Sequence, residues 1–169
     1  MVMDNIKGRV WKYGDDVNTD VIFPGKYTYT VSEPSEMPKH ALEDLDPEFA
    51  KKVQRGDIIV GGKNWGCGSS REQAVVCLKE SGVGAIVARS FARIYYRNCI
   101  NNALPAITCP EVVDAVESGE IISVDLIQGE VLCSKGSFAF PPIPDAVMGI
   151  FEAGGLIQYT RMKLNQNHR

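Results

Sequence analysis

A single α/β domain with a mixed sheet and flanking helices is predicted by three features of the chain. Two short apolar runs, Asp57-Ile58-Ile59-Val60 and Gly84-Ala85-Ile86-Val87-Ala88, enclose a helix-like Gln73–Glu80 segment and so outline a parallel βαβ unit. The region after residue 120 changes to short alternating strands separated by Gln128-Gly129 and Lys135-Gly136, the pattern of antiparallel pairing. The length, 169 residues, suits one domain with two packed layers around a real core.

The elements follow in order. Lys7 to Tyr13 reads as the first strand, and the polar Gly14–Asp20 stretch as a turn. Val21-Ile22-Phe23 leads into Pro24-Gly25. Residues 26 to 46 carry Pro34 and Pro38, acids, hydroxyls and few aliphatics, so they read as a long surface loop. A loop of that length in a compact domain points to a lid, a specificity element or a partner contact. A short helix is expected over Pro47–Val53, then the strand at 58–60, a glycine-rich segment, the helix over 73–80 and the strand at 84–88. Ser90 to Asn101 places Phe91, Ile94, Tyr95 and Ile100 at helical spacing, ended by Asn102 to Pro105. Ala106–Thr108 precedes a helix over Glu111–Glu117, strands at 121–126, 131–133 and 137–140, and a helix from after Pro144 to Phe151. The basic residues from Arg161 to Arg169 read as a solvated end.

Composition narrows the function classes. Eighteen Lys+Arg against 21 Asp+Glu give a net charge of -3, which offers no broad basic footprint for nucleic acid. No run approaches the ~18 apolar residues of a membrane span. Cys67, Cys77, Cys99, Cys109 and Cys133 form neither a CxxC pair nor a Cys/His cluster with metal-site spacing, so no metal site is expected in this chain. The expectation is a cytoplasmic protein with reduced thiols.

The chemistry concentrates in Gly61-Gly62-Lys63-Asn64-Trp65-Gly66-Cys67-Gly68-Ser69-Ser70-Arg71-Glu72. A Walker-type phosphate loop needs Lys-Ser or Lys-Thr after its last glycine, and here Cys67 follows Gly66. A dinucleotide fingerprint fails because Arg71 stands where the third glycine would be. A Ser-His or Cys-His hydrolase lacks its base, since His40 lies in the acidic loop and His168 beside the chain end. Two readings are left. Ser69-Ser70-Arg71-Glu72 has the spacing of a helix capping box, and it also sets two hydroxyls and a guanidinium at a helix start, where negative charge is favoured. Capping alone accounts for neither Gly66 and Gly68, which let backbone approach a ligand, nor Arg71, which can grip a carboxylate with two parallel bonds.

Asn18-Thr19-Asp20, Gly56-Asp57, Gly66-Cys67-Gly68-Ser69-Ser70-Arg71-Glu72 and Ser90-Phe91-Ala92-Arg93-Ile94 together resemble the small subunits of the isopropylmalate isomerase and homoaconitase group, relatives of the swivelling C-terminal domain of aconitase. The resemblance covers about two-thirds of the chain by motif. It implies an aconitase-type swivelling β/β/α domain over 1–169, with the Ser69 helix at one edge of the sheet and later strands completing a barrel-like or layered core. It further implies a separate large subunit carrying a [4Fe-4S] cluster, an active site formed between the two chains, and dehydration followed by rehydration of a 2-hydroxy di- or tricarboxylate. Carried over by motif, Ser69 is the base that removes and returns the carbon-bound proton, with Ser70 and Gly68 beside it. Arg71 stabilises the serine alkoxide and holds a substrate carboxylate, and Asp20 orients catalytic groups.

The resemblance also places substrate discrimination in a loop about residues 24–46, at Lys26, Tyr27, Thr28 and Tyr29. Relatives that act on substrates with an extra carboxylate resemble one another in having an arginine there. Tyr27 to Thr30 has none, which favours an uncharged branch such as isopropyl, because an unpaired buried carboxylate is costly. The Tyr-Thr-Tyr-Thr string lacks the aliphatic residue expected for isopropyl, so dimethylmalate, methylmalate and homoaconitate stay open as substrates. A non-catalytic anion-binding regulatory module is the alternative from another class.

Overall fold

The computed structural model describes residues 5–167. Its centre is one seven-stranded sheet made of β1 (Asn5–Lys12), β2 (Ile58–Gly61), β3 (Ala85–Ala88), β4 (Ala106–Thr108), β5 (Ile121–Asp125), β6 (Glu130–Cys133) and β7 (Gly136–Ala139). The order is β4-β3-β2-β1-β5-β6-β7. Pairs from β1 to β4 are parallel and pairs from β1 through β5 and β6 to β7 are antiparallel. The sheet is therefore mixed and open, layered rather than barrel-like. Strand β1 serves both halves: residues 5–9 pair with β5, and Val10 to Lys12 pair with β2.

The central strands are short and apolar because both their faces are covered. Ile58 and Val60 belong to a core cluster with Val112, Val113, Ile122, Val124 and Phe151. The intervening Ile59 faces the second cluster, with Trp65, Ala74, Val75, Leu78 and Tyr95. Helices α3 (Gln73–Glu80) and α4 (Arg93–Asn101) feed this second cluster, and α5 (Pro110–Ala115) and α6 (Asp145–Ala153) feed the first. Complete burial of each such aliphatic side chain contributes about 1.5–3 kcal/mol before conformational entropy is charged.

Asp57, 4% exposed, fastens the turn before β2 to β1. Its carboxylate accepts from the Trp11 indole at 2.8 Å, the Gln54 amide at 3.0 Å and the Arg9 amide at 3.2 Å. The Gly56-Asp57 pair is thus a structural joint remote in role from the chemistry.

One expectation is corrected and another is refined. Residues 26–46 are not a plain surface loop, because Met37, Ala41 and Leu42 are buried against Ile22, Phe23 and α3. Short 3-10 turns at Gly25–Tyr27 and Pro34–His40 shape the segment, and the Leu42 amide donates to Ile22 O at 2.9 Å. Three apolar residues, with Pro38 between Met37 and Ala41, are too few to carry a periodic signal. The basic end is solvated, as expected, with residues 161–166 all exposed, but it is helical: α7 (Leu156–Asn167) follows Gly154, whose φ of 83° closes α6 in the left-handed conformation. The helix packs on α6 and α4 while Ile157, Met162 and Leu164 stay exposed, so it has no continuous apolar stripe to read. His168 and Arg169 lie outside the described residues. No described helix is long and apolar enough to cross a membrane.

Candidate active site

Three loops leave the carboxyl ends of β1, β2 and β3 and are stitched together by backbone bonds. The Gly66 amide donates to Val17 O and the Thr19 amide to Cys67 O, both at 2.8 Å. The Trp65 amide donates to Ser90 O at 3.0 Å, and the Ala92 amide returns to Trp65 O at 2.9 Å. The separated motifs Asn18-Thr19-Asp20, Gly66–Glu72 and Ser90–Arg93 so become one surface at the carboxyl edge of the parallel strands, where open α/β sheets bind ligands.

Gly66 holds this register. Its φ is +77°, and an added Cβ would stand 2.0 Å from Tyr95 Cγ, a ring that is 1% exposed. The glycine therefore admits an aromatic core residue, not a ligand. Gly66→Ala is expected to destabilise the chain by about 3 kcal/mol, from strain at positive φ plus overpacking. Equilibrium denaturation of the chain would measure it. Gly68, with φ +100°, is exposed and turns the segment over α1 (Thr19–Ile22).

Ser69 is not a helix cap. Helix α3 begins at Gln73 with Glu72 at its N-cap, and no side chain caps it. The serine stands outside the helix because its partners lie elsewhere. Its Oγ is 2.8 Å from Thr19 Oγ1 and accepts from Arg71 Nε at 2.9 Å, while its amide donates to Thr19 Oγ1 at 3.0 Å. The capping-box reading is thereby removed.

Arg71 is the hub. Beyond Ser69, its Nη1 donates to Thr28 Oγ1 at 2.5 Å and its Nη2 pairs with the Asp20 carboxylate. Gln73 Nε2 adds a bond to Thr28 O at 3.1 Å, so the specificity loop is tied to the Ser69 segment at two points. Asp20 sits in the first turn of α1, a helix capped by Asn18, whose Oδ1 accepts from the Val21 amide at 3.0 Å. Ser70 is exposed, and its carbonyl accepts from Asn98 Nδ2 at 3.1 Å.

The loop residues separate into two groups. Thr28 is in the site through Arg71. Lys26 points instead to Glu43 at 2.7 Å, and Tyr27 stacks on His40 with centroids 3.7 Å apart. His40 in turn bonds Glu43 through Nδ1 at 3.0 Å. Partial burial pushes the Glu43 carboxyl up, but bonds from Lys26, His40 and Tyr27 outweigh it and hold the group at about 2. The same Glu43 bond raises the Lys26 ammonium, so this cation is committed within the loop. Tyr29 is 97% exposed at the loop tip.

Sequence reasoning missed Thr19, which is 1% exposed and makes two contacts to Ser69. The signal for it is the Asn18-Thr19-Asp20 motif, in which the acid is the more conspicuous candidate. Among the described residues no group of three or more His, Cys, Asp or Glu could hold a metal ion. Cys77 and Cys99 are buried in the core, where desolvation pushes their thiols up, so neither is available as a thiolate ligand.

The sequence profile of the aconitase C-terminal domain matches residues 15–112. A 3-isopropylmalate dehydratase small subunit of Caldicellulosiruptor bescii is 48% identical over 163 residues, covering 95% of this chain and 98% of the relative. The 3-isopropylmalate dehydratase small subunit 1 of Methanopyrus kandleri is 52% identical over 157 residues, 92% of each chain. The crystal structure of a 3-isopropylmalate dehydratase from Methanocaldococcus jannaschii superposes with a TM-score of 0.89 at 42% identity, covering 97% of this chain and 98% of that one.

Proposed function

The chain belongs to the family of 3-isopropylmalate dehydratase small subunits, built on the aconitase swivelling fold, and from this premise we propose how its residues serve the reaction. It is the small subunit of the hydro-lyase that interconverts 2-isopropylmalate and 3-isopropylmalate in leucine biosynthesis. The observation that carries the catalytic reading is the Ser69 oxygen held between Thr19 and Arg71 on an open surface.

In this reading Ser69 takes the proton from the substrate carbon. The electron pair left behind forms the carbon–carbon double bond as hydroxide departs from the neighbouring carbon, so the step leaves an unsaturated dicarboxylate, a protonated Ser69 and hydroxide. Rehydration in the opposite sense returns the Ser69 proton to one carbon and the hydroxyl to the other. A serine hydroxyl is a weak base in water, and the Arg71 guanidinium beside Oγ favours its ionised form once a partner chain has closed the site. The described residues do not offer a ligand set for an iron–sulfur cluster. The [4Fe-4S] cluster that the family resemblance implies is assigned in this reading to the large subunit, where it would supply Lewis acidity for the departing hydroxyl. The chain is expected to be active only with that partner.

The substrate's substituent meets the 27–30 segment. That segment carries no cation of its own: the adjoining Lys26 is engaged by Glu43 at 2.7 Å, and Arg71, which bonds Thr28 Oγ1, is paired with Asp20 and committed to the Ser69 side of the site. An extra substrate carboxylate would be buried there without a partner, which supports isopropyl over the homoaconitate side chain. Turnover of a substrate panel by the reconstituted complex tests this. The highest kcat/KM is expected on 3-isopropylmalate, with a homoaconitate-type tricarboxylate lower by about 10²-fold or more, the scale on which an unpaired buried charge discriminates. Preferred turnover of the tricarboxylate, of dimethylmalate or of methylmalate would overturn the substrate assignment.

A further inference from the structure

The hydrogen positions around Ser69 are fixed by burial. Thr19 Oγ1 already accepts from the Ser69 amide at 3.0 Å, and the residue is 1% exposed. Among the described residues its hydroxyl proton has one acceptor within reach, Ser69 Oγ at 2.8 Å. Were Ser69 the donor in that contact, Thr19 would accept twice and its own proton would be buried without a partner, at a cost of about 1–3 kcal/mol. Thr19 is therefore the donor and Ser69 Oγ the acceptor. Ser69 is half-buried, so its own proton is left to face the open side.

We infer that Thr19 is a positioning residue that makes Ser69 Oγ the acceptor of two short hydrogen bonds, from Thr19 Oγ1–H and Arg71 Nε–H, beside a longer one from the Arg71 amide at 3.4 Å. The consequence rests on the reading of Ser69 as the base. Two donors that remain in place when the serine proton leaves stabilise the alkoxide more than the hydroxyl, so they lower the barrier to forming it. The same threonine holds the Ser69 amide, which fixes the backbone and the oxygen by one side chain. Its burial under Gly68, whose added Cβ would lie 3.3 Å from Thr19 Oγ1, keeps water from replacing either bond. The charged groups at this point are Arg71, from the Ser69 segment, and Asp20, from α1, and they are paired with each other. Lys26, from the loop, is held by Glu43.

The test uses the chain reconstituted with its large subunit. Thr19→Val removes the hydroxyl at nearly constant shape, Thr19→Ala removes it without adding bulk, and Thr19→Ser keeps it. Both hydroxyl-free variants are expected to assemble, to lose about 10²–10³ in kcat with KM within about twofold, and to move the rising limb of kcat against pH to higher pH. Thr19→Ser is expected to restore both turnover and profile. An assembled Thr19→Val or Thr19→Ala complex with wild-type kcat and an unmoved pH limb would overturn the inference, as would a Thr19→Ser complex as impaired as the valine variant. Ser69→Ala separates the levels. If it too keeps normal turnover, the reading of Ser69 as base fails; if it is inactive while Thr19→Val is active, only the role of Thr19 fails.

Discussion

Ser69→Ala in the assembled complex is expected to lower kcat by about 10²–10⁴-fold, the range supplied by a positioned general base, with KM changed little. The expectation follows from where Oγ sits. It is outside helix α3, so its loss removes no cap, and its backbone is held independently by the Ser69 amide bond to Thr19. The alanine variant should accordingly fold, assemble and bind substrate while the proton has no acceptor. A purely structural serine would show the reverse pattern, with stability or assembly falling and turnover per assembled complex preserved. Steady-state kinetics alongside a sedimentation measurement of assembly distinguishes the two.

Arg71→Lys is expected to be nearly as damaging, because one ammonium cannot replace three directed donors. The guanidinium reaches Ser69 Oγ, Thr28 Oγ1 and Asp20 at once. Lysine would lose the donor at Ser69, which costs about 10²–10³ in kcat when a single charge-stabilising bond is removed. It would also free Thr28 and with it the specificity loop. The partner most easily exchanged is Asp20, whose side chain is 66% exposed against 21% for Arg71. A substrate carboxylate that displaces it would use the same face of the fork, so KM is expected to rise as kcat falls. This double change, in contrast to the kcat-only loss of Ser69→Ala, is the kinetic signature of Arg71.

The parallel half of the sheet was legible because Ile58–Val60 and Ala85–Ala88 are continuous apolar runs, the mark of strands covered on both faces. The antiparallel half was legible from alternation, as in Ile122 and Val124 turned inward between Ile121, Ser123 and Asp125. Helix α7 was not legible, because Ile157 and Leu164 share a face with no apolar residue between them on it, and Met162 lies on another. The site was legible where a motif brought unusual residue types together, as at Ser69 and Arg71. It was opaque where only three-dimensional contact assigns a role. Gly66 was expected to admit a ligand and instead admits Tyr95, a residue 29 positions on. Thr28 and Lys26 were read alike as substrate contacts, yet one is bonded to Arg71 and the other to Glu43, a difference invisible in Lys26-Tyr27-Thr28 as a string.

On the proposed mechanism this chain contributes the proton-transfer half of an active site that a cluster-bearing large subunit completes. Interconversion of 3-isopropylmalate and 2-isopropylmalate, followed for this chain alone, for the large subunit alone and for their mixture, tests it most directly. Turnover is expected only in the mixture, rising with added small subunit to saturation. Turnover by this chain alone, or undiminished turnover by the large subunit without it, would contradict the account.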